Sequence, residues 1–175
     1  ISGAIVQAKG NITESQQFSS DDTGTFFMRL QVESDVSRTE FEAALLPVME
    51  RYRMHWQLDV VGRPMRTLVL VSTAAHALND LLFRQRAGQL AVDIPLVLGN
   101  HPDLGELAAF YGVPFEAHTI GDADQKAAFE RRVLEVVDKE EIEVVVLARY
   151  MQILSPRFCH ELSGPSINIH HSFLP

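Results

Sequence analysis

A chain of 175 residues that is 46% hydrophobic and 22% charged, with a mean hydropathy of +0.02, reads as a soluble globular protein with room for one good core or two modest ones. Fifteen Lys and Arg against 23 Asp and Glu leave a net charge of −8, which repels a nucleic acid but still allows a small anionic ligand received by a few local cations. No apolar run approaches the roughly 18 residues of a membrane span and no basic-then-apolar leader opens the chain; a single cysteine, Cys159, excludes an internal disulfide framework and suits a reducing cytoplasm.

In chain order, Ile1, Ile5 and Val6 form an apolar helical stripe that ends at Gly10, placed as a helix C-terminus. NITESQQFSS (11–20) alternates through Ile12, Glu14 and Gln16 into the turn signal DDTGT (21–25), and TFFMRLQVE (25–33) continues as the second strand of a hairpin. Residues 37–52 set Phe41, Leu45, Val48 and Tyr52 on one helical face, with Pro47 as a kink. MHWQLDVV (54–61) closes the series as a strand. This α-β-β-α-β order lacks only a leading strand to become the β-α-β-β-α-β pattern of the ferredoxin-like fold. Residues 1–62 are therefore expected to form such a domain without its first strand, with Ile1 at a fragment boundary.

Gly62, Arg63 and Pro64 mark a change of rhythm, and 63–66 reads as a linker. TLVLVS (67–72) is an unbroken apolar run, as expected of a strand buried on both faces of a parallel sheet. Further strands are expected at 94–100, 113–120, 143–148 and 166–170. Helices are expected at 76–88 and 103–112, each closed by glycine. A third, at 122–141, has an Asp122-to-Gln125 capping box and the apolar face Phe129, Val133, Val136 and Val137. A fourth, at 155–162, opens with Ser155 as cap and Pro156 in the first turn. Strict alternation of strand and helix over 67–175 argues for a doubly wound, mostly parallel α/β sheet.

Ligands of such sheets bind beyond the carboxyl ends of the strands. Here those exits are STAAH after the first strand, GNHPD after the second, ARYMQIL after the fourth and NIHHSFLP after the fifth. STAAHALND contains no glycine, so neither common phosphate-cradling motif is present and a phosphate grip at that turn is not expected. At the fifth exit, residues two apart share a side, so Asn168 and His170 project together while Ile167 and Ile169 face the other way. An amide can donate to a developing oxyanion, and an imidazole can move a proton near neutral pH. Read alone, the pair is as consistent with two hydrogen-bonded structural residues as with catalysts. His171 is expected to be structural, Cys159 to be a small core residue, and His55, His101 and His118 to lack partners. No chelating spacing points to a metal: His160-Glu161 lacks the second histidine of a zinc helix, because position 164 is Gly.

Taken together, GNITESQQF with FFMR, HALNDLLFR, the Asn-His-Pro at 100–102, LARYMQILSP and INIHHSFLP resemble the folate-dependent formyltransferase superfamily, and within it the bacterial formyltetrahydrofolate deformylases. The resemblance covers nearly the whole chain. It implies an N-terminal ACT domain, the ferredoxin-like topology reached above, followed by a Rossmann-like formyltransferase domain. The implied reaction is hydrolysis of 10-formyltetrahydrofolate to formate and tetrahydrofolate. It also implies a catalytic Asn and His at Asn168 and His170, with a third residue, Asp, expected beyond Pro175. Arg149, Tyr150, Met151, Gln152, Ile153 and Leu154 are implied as the substrate-binding segment. No cofactor is implied, the folate being substrate. An amino-acid effector at the ACT domain, a homo-oligomer and a cytoplasmic location are further implications. Thr73 and Ala77 depart from the Lys and Cys often found at those places in the family, which bears on local substrate contacts. Two other readings stay open: a formyltransferase acting on an amine acceptor, and a non-catalytic amino-acid-sensing module.

Overall fold

The computed structural model describes residues 1–169, and the chain divides between Val61 and Gly62 into two units. The first unit contains α1 (Ser2–Gln7), the antiparallel hairpin of β1 (Gly10–Ser20) and β2 (Thr25–Ser34), and α2 (Arg38–Arg51). Ala4, Ile5 and Ala8 pack with Phe41, Leu45 and Met49, so both helices close over one face of the hairpin. Ser37 caps α2 in a reciprocal box with Glu40, which satisfies two otherwise orphan amides. Pro47 is accommodated on the exposed side of α2 without ending it.

Three expectations for this unit are corrected. Gly10 does not cap α1; the helix ends at Gln7 and Lys9 takes the left-handed backbone, φ 54°. Gly10 instead opens β1 at a close approach, where a Cβ would lie 2.7 Å from Ile5 Cγ2 and 2.8 Å from Val32 Cγ1. Tyr52 lies past the end of α2 and is exposed, and Met49 takes its place on the buried face. Residues 54–61 do not form a strand. Met54, Trp56 and Leu58 alternate inward against the core as strand residues would, but a ladder requires a neighbouring backbone, and none of the described strands pairs with this segment. A groove of about 670 Å³ separates it from β2, with Met28, Leu30, Val32, Phe41, Trp56 and Leu58 among its walls.

The second unit is a five-stranded parallel sheet in the order β5-β4-β3-β6-β7. Its strands are β3 (Met65–Val71), β4 (Val92–Gly99), β5 (Phe115–Ala117), β6 (Val144–Ala148) and β7 (Ser166–Ile169). Its helices are α3 (Ala75–Arg86), α4 (Gly105–Phe110), α5 (Ala123–Lys139) and α6 (Pro156–Glu161). The unbroken apolar runs are used on both faces. Leu68, Leu70, Leu98, Val145 and Leu147 meet Phe129, Val133 and Val136 of α5 and Phe158 of α6. Val69, Val71, Val97, Val146 and Ala148 meet Ala77, Leu78 and Leu82 of α3. β5 is only three residues long. β4 approaches it so closely that a Cβ on Gly99 would lie 2.7 Å from the Phe115 ring and 2.8 Å from the His101 carbonyl.

Local chemistry departs from the sequence reading at three places here. The Asp122 cap accepts from Gln125 N at 2.8 Å, but the Gln125 side chain accepts from Gly121 N at 2.7 Å, one residue earlier than a capping box requires. Cys159 is exposed on α6, because Phe158 takes the inward position of that short helix. His118 has partners: Nε2 lies 3.3 Å from Glu116 Oε2, and its ring meets Phe129 edge-on at 5.8 Å.

Candidate active site

From β3 the chain winds outward through β4 to β5, then returns to the other side of β3 and continues through β6 to β7. The winding therefore reverses between β3 and β6. At such a point the loops leaving two adjacent strands diverge to opposite faces and open a crevice above their carboxyl ends. In this sheet that point falls between Ser72, just after β3, and the segment 149–155 after β6. Their strands are in register up to Val71 opposite Ala148.

The 149–155 segment is held at several points. Arg149 turns the chain out of β6 in the left-handed region, φ 60°, a conformation that disfavours a residue bearing a Cβ and persists only where its surroundings enforce it. Tyr150 then turns into the core, stacked on Phe129 of α5 with centroids 5.6 Å apart. Burial pushes its phenol above the ordinary value of 10.0, and the Glu130 carboxylate adds to the shift, so it stays a neutral hydroxyl. Met151 N donates to Ser72 Oγ at 2.9 Å, which ties the β6 exit to the β3 exit. At the far end, Ser155 caps α6 by accepting from Phe158 N at 3.2 Å. Its own N and Oγ donate to the Glu130 carboxylate at 2.8 and 2.5 Å.

Between these anchors Met151 and Ile153 are held out from the core, Ile153 with 86% of its surface exposed, while Gln152 and Leu154 are half-buried. An isoleucine displayed at that level by a braced loop is a ready apolar contact for a ligand. Among the described residues, Asn100, just past β4 and only 2% exposed, has no partner for its buried Oδ1, and the buried Arg149 Nε has none either.

The residues read from sequence as a site fall as follows. Arg149 to Leu154 share the one loop beside the β3 exit. Asn168 lies on β7 directly opposite Leu147 of β6, in an exposed strand that is outermost among the described strands of the sheet. His170, and with it His171, lies outside the described residues. The exit at 72–74 has no left-handed residue and no side-chain cap on α3. The sequence reading placed Ser72 and Asn100 at strand exits, in STAAH and GNHPD, without giving either a role. It missed Glu130, which carried no local signal. Among the described residues no group of three or more metal-ligating side chains comes together, and no helix is long and apolar enough to cross a membrane.

A five-stranded parallel sheet that reverses its winding between β3 and β6, with a braced loop at that point and an amide on the next strand, defines a Rossmann-like α/β domain. The chain belongs to the formyl transferase family, whose model matches residues 65–175. Over its whole length it is 38% identical to formyltetrahydrofolate deformylase of Corynebacterium sp., covering 62% of that protein. It is 34% identical to the same enzyme of Bacillus subtilis, covering 59%. The structure of formyltetrahydrofolate deformylase from Burkholderia mallei superposes on 98% of the chain with TM-score 0.90 and 38% identity, the chain covering 61% of it. Glycinamide ribonucleotide transformylase 1 from Geobacillus kaustophilus matches 65% of the chain with TM-score 0.58 and 28% identity, the match covering 61% of that structure. The chain thus spans about three-fifths of the length of the deformylases it matches.

Proposed function

We propose that this chain belongs to an enzyme that hydrolyses 10-formyltetrahydrofolate to formate and tetrahydrofolate. The observation that carries this reading is the extent of the similarity. Likeness to the deformylases runs through both units, over 98% of the chain, whereas likeness to the glycinamide ribonucleotide transformylase covers 65%. The glycine-free exit after β3 supports the same choice, since it offers no ready cradle for the phosphate of a phosphorylated acceptor.

In this reading the pterin lies against Met151, Gln152, Ile153 and Leu154, with Arg149 and Tyr150 shaping the turn beneath. Asn168 donates to the formyl oxygen as it becomes an oxyanion, and His170 delivers the proton that the departing nitrogen requires. Water adds to the formyl carbon, the bond from that carbon to N10 breaks, N10 takes up a proton, and formate leaves. Water and folate are both substrates, and no cofactor is assigned. The exposed Cys159 thiol suits a reducing cytoplasm. The first unit is read as an ACT domain that binds a small amino acid and contributes to a homo-oligomer.

The test is formate release by the full-length enzyme from 10-formyltetrahydrofolate with no amine acceptor present. Release is expected, and Asn168→Ala should slow it by about a hundredfold or more with little change in folate affinity. Formyl transfer to an added amine, with no formate released in its absence, would replace hydrolysis by the transferase reading, and no turnover under either condition would favour a sensing module.

A further inference from the structure

We propose that Glu130 is a positioning residue for the ligand-binding loop after β6, acting through Ser155; this rests on the reading that residues 151–154 contact the folate. Glu130 sits on α5, with no sequence proximity to the loop, yet its carboxylate accepts both the backbone N and the hydroxyl of Ser155, at 2.8 and 2.5 Å. The second bond fixes the direction of the hydroxyl proton. That leaves an oxygen lone pair for Phe158 N at 3.2 Å, so a single carboxylate sets both the end of the loop and the start of α6.

The preceding residue of α5, Phe129, stacks on Tyr150 at the other end of the loop. One turn of one helix therefore grips both ends of the segment that displays Met151 and Ile153. The Ser72 hydroxyl is a third hold, on Met151 N. Such bracing matters for binding more than for folding. Exposed apolar side chains gain nothing from being held in water, but a loop already in its bound conformation need not be ordered when the ligand arrives. If the loop spends only part of its time in the competent arrangement, the apparent affinity falls by that fraction while bound complexes react at their former rate.

The full-length enzyme is titrated with tetrahydrofolate, assayed for turnover, and followed by amide hydrogen exchange at residues 151–155. Glu130→Ala removes both acceptors and is expected to weaken folate binding about tenfold and raise KM alike, with kcat within about twofold. Exchange over 151–155 should rise. Glu130→Gln keeps the volume and one acceptor for Ser155 N but loses the charge-assisted hold on the hydroxyl, and is expected to lose only a few-fold in affinity. Unchanged affinity in Glu130→Ala, or a fall in kcat with KM unaltered, overturns the proposal. Should the alanine variant not fold, Glu130→Gln carries the test: a loss of a few-fold with faster exchange at Ser155 upholds the role, and no change refutes it. Failure of the unaltered enzyme to bind tetrahydrofolate would instead overturn the folate reading.

Discussion

Replacing Phe129 by alanine tests the packing that holds the large sheet to α5. Its side chain is 1% exposed, packs among Leu68, Leu70, Leu147 and Val133, and stacks on Tyr150. Truncating a buried phenylalanine typically destabilises by about 3–5 kcal/mol, through lost transfer energy and the cavity left behind. The aromatic pair contributes roughly 0.5–1.5 kcal/mol of its own, which places Phe129→Ala toward the upper part of that range. For a unit of this size, at about 4 °C per kcal/mol, the midpoint of thermal unfolding should fall by roughly 12–20 °C. The measurement is denaturant and thermal unfolding followed by circular dichroism, with Phe110→Ala as reference. Phe110 is 71% exposed, and its truncation should stay within about 0.5 kcal/mol of wild type. A Phe129→Ala loss within about 1 kcal/mol of the reference would refute the idea that this ring anchors the α5 face.

Two further outcomes follow from the same physics. Glu116 is held below its ordinary value of 4.5, first by its hydrogen bonds with Arg132 and then by His118. A lowered folded-state value means that this stability is present above the unfolded value and is lost as pH falls through the folded one. The destabilisation caused by Glu116→Gln should therefore be largest near neutrality and shrink on acidification below about pH 4.5, read from urea midpoints across pH; a pH-independent difference would count against the ion pair. Gly99→Ala should cost about 1–3 kcal/mol by overpacking, since the new methyl meets the His101 carbonyl at 2.8 Å and backbone cannot step aside as a side chain can. A midpoint equal to wild type would show that the β4–β5 contact relaxes freely.

The α/β unit was legible where one strand or helix carries its own signal. Val69, Leu70 and Val71 are buried on both faces of the sheet, and no amphipathic alternative accounts for such a run. Ser155 and Asp122 announce helix starts by side-chain chemistry alone. Residues 54–61 were misread because alternation fixes only which way side chains point, whereas a strand is a relation to a neighbour. Gly10 was misread for a similar reason: a glycine after a helix suggests a cap, but here it answers the crowding of Ile5 and Val32. Asn168 falls on β7, within the strand expected at 166–170, while the hold of Glu130 on Ser155 crosses 25 positions and no local pattern encodes it.

On its side away from β1, the β2 backbone borders the groove, and no described strand pairs with it there. A border of that kind is a template, offering amide and carbonyl groups above an oily floor of Met28, Leu30 and Val32. Once heat loosens the two short helices behind it, this seam is the natural meeting line for separate molecules. Against that attraction stands the mutual repulsion that a net charge of −8 supplies.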